Sequence, residues 1–172
     1  MANVGRTTTK WIRFGLSDNA GAAREIPVDS ISPVGFTYDE VEVTAWQDAV
    51  KGYLTNHPDC PIDITGPFDT SAAAAFAAST AAPTLSGSHT ILSALAHPTT
   101  GTTLPRGLWI AFGIRHYWTA AEDPAFGVAS PGATSGYVLT KYTVEGEKYS
   151  ASFKPYPGTI PAFGTAILIA YA

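Results

Sequence analysis

The stretch that decides the fold spans residues 35–69 and reads GFTYDEVEVTAWQDAVKGYLTNHPDCPIDITGPFD. Apolar and polar residues alternate over residues 34–44, which predicts a strand, and a change of phase near Asp39 indicates a bulge or corner within it. The spacing of the apolar residues that follow predicts one or two helical turns over residues 45–54. These residues are Trp46, Val50, Tyr53 and Leu54. None of the side chains in the stretch forms an arrangement suited to catalysis.

Strand patterns dominate the rest of the chain, and residues 88–96 are the exception. Apolar residues recur there at helical spacing behind Ser88, which predicts an α-helix with Ser88 as its N-cap. Strands are predicted over residues 10–15, 24–32 with an interruption at Pro27, 60–68 with Ile62 and Ile64 inward, 107–118, 137–145, 147–156 and 165–171. Gly146 supplies the turn of a hairpin between two of these strands. The sequence therefore predicts a mainly β fold, a β-sandwich or barrel with one flanking α-helix, in a single domain of residues 1–172.

The composition has few charges and many apolar residues. Hydrophobic residues make up 45% of the chain and charged residues 14%, against about a quarter in ordinary soluble domains. Aromatic residues, which are enriched in cores and in interfaces, make up 12%. This composition is expected of a subunit that covers part of its surface with copies of itself. A β-rich monomer that uses aromatic residues in its strands is the alternative.

Acidic residues concentrate in one part of the chain, whose formal net charge is −4. Residues 18–69 hold ten acidic and two basic residues, whereas residues 1–17 hold three basic residues and no acidic one. Separated charges of opposite sign favour head-to-tail attraction between identical copies, and they leave one face negative, which disfavours nucleic-acid binding. Carboxylates scattered over solvated strand faces are the alternative explanation.

The residue types that carry chemistry do not form a recognisable catalytic or metal-binding motif. The four histidines, His57, His89, His97 and His116, lack metal-ligand spacing, and the single cysteine, Cys60, excludes an internal disulfide. Alternation along a strand sends Asp39 to the side opposite Glu40 and Glu42, so calcium binding is disfavoured. We therefore expect no enzyme activity, no cofactor and no metal.

The sequence also lacks the patterns that are typical of a signal peptide or a membrane-spanning helix. The N-terminus lacks the apolar region of a signal peptide, and no window approaches the roughly 18 apolar residues of a membrane-spanning helix. We expect synthesis in a reducing cytoplasm and no membrane partner.

Four short motifs resemble the major tail proteins of long-tailed bacteriophages with non-contractile tails. They are YDEVEVT at residues 38–44, YL at 53–54, IDITGPFD at 62–69 and HTILSAL at 89–95. Their order is also similar: an acidic strand, a short helix, a Thr-Gly-x-Phe-Asp strand, then a helix and a Leu-Trp-Ile-Ala-Phe strand. The resemblance covers residues 24–156. The alanine-rich segment at 70–87, which we expect to be an exposed loop, departs from the family pattern.

The resemblance implies a tail-tube-like domain with an N-terminal arm at about residues 1–9, in copies that form hexameric rings. Such rings stack into a tube in the virion tail, contact other tail proteins, and conduct DNA during ejection without binding it specifically. If residues 36–44 and 60–69 line the tube, the candidate acidic lumen residues are Glu40, Glu42 and Asp63. The candidate contacts between rings are Arg6, Lys10 and Arg13. The host makes the protein in its cytoplasm.

Two other classes remain as alternatives. A capsid decoration protein would share the β-rich, weakly charged composition, but it would form trimers on a shell. A carbohydrate-binding module or small β-sheet hydrolase could use an aromatic platform of Trp109, Tyr117 and Trp118.

Overall fold

A computed structural model describes residues 12–76, 84–97, 108–112, 124–128 and 135–165. Within these residues the chain forms eleven strands and one α-helix. In chain order they are β1 (Ile12–Ser17), β2 (Ala23–Glu25), β3 (Ser30–Ile31), β4 (Thr37–Glu42), β5 (Tyr53–Asp59), β6 (Ile62–Pro67), α1 (Ser88–Ala96), β7 (Leu108–Phe112), β8 (Pro124–Gly127), β9 (Tyr137–Glu145), β10 (Lys148–Pro155) and β11 (Ala162–Thr165).

The strands form three antiparallel sheets. A five-stranded sheet has the order β11-β8-β7-β1-β2, and a four-stranded sheet has the order β3-β6-β10-β9. The third sheet contains only β4 and β5. In the four-stranded sheet Ile64 lies opposite Ala151 and Asp63 lies opposite Ser152, so alternate residues of β6 face opposite sides.

The two larger sheets pack face to face, and one hydrophobic core lies between them. Phe14 on the five-stranded sheet meets Phe153 on the four-stranded sheet, with ring centroids 6.0 Å apart. The helix α1 adds Ile91, Leu92 and Leu95 to the same core. Other buried members are Leu16, Ile26, Cys60, Ile62, Ile64, Ile110, Phe126, Val128, Tyr137, Tyr149 and Ala151. The predicted fold class, a mainly β sandwich with one flanking helix, is confirmed.

The helix is held at its first turn by residues that follow β6. The N-cap residue is Gly87, not Ser88 as predicted, because the Ser88 hydroxyl is engaged elsewhere. That hydroxyl donates to the backbone oxygen of Pro67 at 2.8 Å and accepts the Asp69 backbone N–H at 3.1 Å. The backbone oxygen of Asp69 accepts the His89 N–H at 2.9 Å, which satisfies one of the free donors of a helix start. These contacts fix α1 beside the end of β6.

The described part of the alanine-rich segment, residues 70–76 and 84–87, contains neither helix nor strand. It is fastened to its own subunit. The Ser86 hydroxyl accepts the Ala74 N–H at 2.9 Å, and the Arg24 side chain donates to the Ala74 backbone oxygen at 2.9 Å. Residues 77–83 and the predicted N-terminal arm at residues 1–9 lie outside the described residues.

The largest correction to the sequence prediction concerns residues 45–54, where helical turns were expected. The structure has a β-hairpin instead, in which Tyr53 and Leu54 begin β5 and lie opposite Glu42 and Val41 of β4. The register of this pair shifts between Tyr38 and Glu40, at the predicted place, but the extra residue is on β5, where Asn56 and His57 lie opposite Asp39.

Most of the other predicted strands are found with shifted ends. The interruption at Pro27 separates β2 from β3. The hairpin of β9 and β10 turns at Gly146, whose φ of 61° is the conformation that favours glycine. The predicted strand over residues 107–118 is matched by β7 in its described part. Of the predicted strand over residues 165–171, only Thr165, the last residue of β11, lies in the described part of the chain, so this strand stays a prediction.

Gly66 is required by a close contact with the neighbouring strand β10 and with the connection between β2 and β3. A Cβ atom at this position would lie 2.6 Å from the Pro27 backbone oxygen and 2.9 Å from the Tyr149 ring. Tyr149 cannot move away freely, because its hydroxyl donates to that same Pro27 oxygen at 2.7 Å.

We therefore expect Gly66→Ala to lower the free energy of unfolding by about 1–3 kcal/mol, since it overpacks a buried contact. Chemical denaturation measures this change. The matched control is Gly52→Ala, where the nearest atom to a new Cβ is Val43 Cγ2 at 3.8 Å. Equal stability of the two variants would contradict the tight packing at Gly66.

Candidate assembly interface

The hairpin of β4 and β5 lies outside the core. Every residue of both strands is exposed, although the adjoining strand β6 buries every second residue. An isolated two-stranded hairpin has little stability in water, because neither of its faces is covered. Among the described elements, this hairpin is therefore the one that a contact with another protein surface would stabilise most.

The two faces of the hairpin differ in chemistry. Val41 lies opposite Leu54, and the ladder continues with a hydrogen bond of 2.9 Å from the Val43 N–H to the Gly52 backbone oxygen. Val41, Val43 and Leu54 thus share one face, here called the apolar face of the hairpin, and they are 52%, 48% and 61% exposed. The opposite face, here called the polar face, carries the pairs Glu40–Thr55 and Glu42–Tyr53.

The tip of the hairpin is ordered by its own hydrogen bonds. The Asp48 carboxylate accepts the Ala45 N–H at 2.7 Å, and the Asp48 N–H donates back to the Ala45 oxygen at 3.0 Å. This turn leaves Trp46 and Val50 more than three-quarters exposed. An apolar group held in the open by an ordered turn is a suitable anchor for a partner surface.

The base of the hairpin is fixed to the core at both ends. At its start, the Phe36 ring meets Phe126 edge-on with centroids 6.0 Å apart. At its end, the Tyr137 hydroxyl donates to the Cys60 backbone oxygen at 3.2 Å and lies 3.3 Å from Cys60 Sγ. Burial raises the pKa of the Cys60 thiol and of the Tyr137 hydroxyl, so both are neutral at ordinary pH. The hairpin therefore projects in a defined direction.

The structure separates the three candidate lumen residues. Glu40 and Glu42 lie together on the polar face of the hairpin, where Glu42 forms an exposed ion pair with Lys51 at 3.0 Å. Asp63 is exposed on the outer face of the four-stranded sheet. The row across that sheet runs from Asp63 through Ser152 to Lys141.

The outer face of the four-stranded sheet carries both signs of charge. By strand alternation, Lys141, Lys148 and Lys154 lie on this face together with Asp63 and Glu145. Lys148 pairs with Asp29 at 3.0 Å. The expectation of a uniformly negative lining did not take these lysines into account, because they are about 80 positions from Asp63 in the sequence.

Of the three candidate contacts between rings, only Arg13 lies among the described residues. Its guanidinium forms a bidentate ion pair with the largely buried Glu25, with 2.7 Å between Arg13 Nε and Glu25 Oε1. It also lies over the Phe76 ring, 5.7 Å from the centroid. Arg13 thus has partners within its own subunit, and the inter-ring role of Arg6, Lys10 and Arg13 stays a prediction.

The described residues show no arrangement that points to catalysis or metal binding. They contain no group of three or more histidine, cysteine or acidic side chains placed to share a metal ion. His89 has a structural setting, with its Nδ1 atom 2.8 Å from the Tyr142 hydroxyl and its ring 4.8 Å from that of Phe68. The helix in this part of the chain is too short to cross a lipid bilayer.

The aromatic platform suggested for sugar binding cannot be traced in the structure. Trp109 is known by its backbone position in β7, opposite Gly15 of β1, and Tyr117 and Trp118 lie outside the described residues. What sequence reasoning missed is the apolar face of the hairpin. Its signal was present in the alternation of Val41 and Val43 with Glu40 and Glu42, but Tyr53 and Leu54 were assigned to a helix.

The fold is similar to that of chains in three solved structures. A cryo-EM structure of the anti-feeding prophage cap, described as the tube terminating cap, matches with a TM-score of 0.59 and 11% identity over 93% of this chain and 91% of that one. The sheath-tube complex of an extracellular contractile injection system, PVC, in its extended state matches with a TM-score of 0.55 and 10% identity over 94% and 93%. The sheath/tube terminator of that system gives 0.55 and 10% over 93% and 97%.

These similarities show a shared fold and nothing more specific, because the sequence identity is only 10–11%. No protein-family model and no curated protein sequence matches this chain.

The apolar face of the hairpin predicts a specific mutational effect. The double variant Val41→Thr/Leu54→Thr should weaken self-association about tenfold or more, since it removes apolar surface from the contact. It should change the free energy of unfolding of the monomer by no more than about 0.5 kcal/mol, because both residues are exposed. Sedimentation velocity and chemical denaturation measure the two effects.

The control is Ile160→Thr, because Ile160 is 83% exposed and belongs to neither strand of the hairpin. Equal association of the wild type and the double variant would show that the apolar face of the hairpin is not a contact surface.

Proposed function

We propose that this protein is a structural, non-enzymatic subunit of the tail tube of a phage-like particle. Copies join into rings, six to a ring as the sequence resemblance implies, and the rings stack into a tube through which DNA passes without specific binding. The subunit is made in the host cytoplasm and acts in the virion tail beside other tail proteins. The observation that carries the proposal is a fully exposed, two-faced hairpin on a fold shared with components of tube-bearing particles.

Self-association follows from the energetics of the hairpin. The core of the subunit is complete without β4 and β5, because the buried cluster takes none of its members from these strands. The hairpin exposes Val41, Val43 and Leu54 on its apolar face, and it exposes Trp46 and Val50 at its tip. Monomeric soluble proteins rarely expose contiguous apolar surface of this kind unless a partner covers it. In a repeated structure, that partner is another copy.

The kind of tail is a finer part of the proposal. The motifs at residues 38–44 and 62–69 resemble major tail proteins of non-contractile tails, while two of the structural matches are parts of a contractile injection system. Shared fold at 10–11% identity is compatible with either kind of tail. We assign the chain to a non-contractile tail on the motifs.

A second candidate role is that of a tube terminator. The structural matches include a tube terminating cap and a sheath/tube terminator, each covering more than nine-tenths of both chains. A terminator would form one ring at the end of a tube instead of repeating along it. The exposed hairpin serves either role.

Electron microscopy of the purified protein tests the proposal. Stacked tubes with a central channel are expected for a tube subunit, whereas single rings that do not stack would favour the terminator. Trimers without a channel would favour a capsid decoration protein. A monomer that persists at high concentration and in the presence of other tail proteins would overturn the assembly role altogether.

The lumen assignment of Glu40, Glu42 and Asp63 is tested at Asp63, which lies away from the hairpin and on a solvent-facing sheet position. In virions carrying Asp63→Lys we expect normal tubes but slower DNA release, because a new cation in the bore attracts phosphate. Release is followed by dye binding to ejected DNA. The control is Glu147→Lys, the same charge change in the exposed turn between β9 and β10. Equal release by both variants would remove Asp63 from the lumen.

A further inference from the structure

The strand β9 forms a long open edge of the four-stranded sheet. Its residues Tyr137–Glu145 pair with β10 on one side, and the described residues provide no strand on the other side. The helix α1 reaches β9 through a side chain, Tyr142, whose hydroxyl meets His89. The strand is regular over Lys141–Glu145, beyond a bulge at Thr140, and a regular edge without a strand partner among the described residues is a template for a strand from another chain.

The hairpin and the β9 edge have matching faces. The hairpin separates Glu40 and Glu42 on its polar face from its apolar face. On β9, Lys141, Thr143 and Glu145 face outward by strand alternation, while Val144 lies on the other side and is 45% exposed. If β4 of one copy paired with β9 of another, the apolar face of the hairpin would lie on the same side as Val144, and the polar face would lie on the same side as Lys141. The apolar face would then cover Val144, and the carboxylates of Glu40 and Glu42 would join the row that contains Lys141.

Charge on the two elements is complementary. Of Glu40, Glu42, Lys141 and Lys154, only Glu42 has an ion-pair partner among the described residues, Lys51 at 3.0 Å. Among the described residues, Lys141 and Lys154 form no ion pair, and neither does Glu40. Residues 37–59 carry five acidic residues and one basic residue. The only acidic residue on the outer face of β9 is Glu145, at its far end opposite Lys148. Unpaired charges of opposite sign on two exposed elements favour contact between copies over contact within one.

The two elements are different patches of the subunit. The hairpin runs directly into β6, since only Cys60 and Pro61 separate β5 from it, while β9 is the edge strand beyond β10. A contact between the hairpin of one copy and β9 of another would therefore use two different surfaces. Such a contact joins different patches of identical subunits, which generates a ring when the rotation closes.

We infer that β4 of one copy pairs with the open edge of β9 in the next copy, with Glu40 and Glu42 beside Lys141 and Lys154, and that this is the contact within a ring. The inference rests on the proposed assembly into rings, and it names the two surfaces that meet.

Disulfide formation between copies tests the pairing. In the variants Glu40→Cys/Lys141→Cys and Glu42→Cys/Lys141→Cys, oxidation of assembled tubes should give a ladder from dimer up to the closed ring on non-reducing gels. Each single-cysteine variant should give no product larger than a dimer. The wild-type chain is the background control, because its Cys60 is buried. Tubes in which neither double variant exceeds its single-cysteine controls would overturn the inference.

A charge exchange gives a second, independent readout. Lys141→Glu/Lys154→Glu and Glu40→Lys/Glu42→Lys should each reduce assembly at low salt by about tenfold or more, and the chain with all four substitutions should recover it. All four substituted positions are exposed, so circular dichroism should show folded protein in every case. Absence of tubes in the wild type would refute the proposed function, whereas tubes without recovery by exchange would refute only this pairing.

Discussion

The packing of the two large sheets against each other, with Phe14 against Phe153, determines which residues the subunit can bury by itself. Strand β6 contributes buried residues to this core and β5 contributes none, although only Cys60 and Pro61 separate the two strands. The core thus provides a rigid base for the hairpin without covering it. Any interpretation of this protein has to account for an apolar surface that folding leaves in water.

The sequence was sufficient to predict the elements whose short local pattern is compatible with only one secondary structure. Ile62 and Ile64 alternate with polar residues, and a strand with one buried face is the result. Gly146 between two alternating runs gave the hairpin of β9 and β10, and the phase change at Asp39 gave the position of the bulge. In each case the decisive signal lies within about ten residues, so no knowledge of distant contacts is needed.

The sequence was not sufficient where a distant partner decides the outcome. Trp46, Val50, Tyr53 and Leu54 fit a helical stripe, but a stripe of this length is stable only against a core, and no core surface lies beside it. Pairing of Leu54 with Val41 settles the segment as a strand instead. The same limit applies to Asp63, since its neighbours across the sheet include Lys141, which periodicity along β6 cannot reveal.

The bulge opposite Asp39 also has a consequence for how this surface can change over time. The pairing of β4 with β5 already tolerates a mismatch in length there, because Asn56 and His57 of β5 face the single residue Asp39 of β4. Insertions or deletions near Asp39 can therefore be absorbed locally, while Phe36 and Cys60 keep both ends of the hairpin attached to the core. The subunit thus has a place where natural variation can alter which neighbours it accepts, independently of the residues that make it fold.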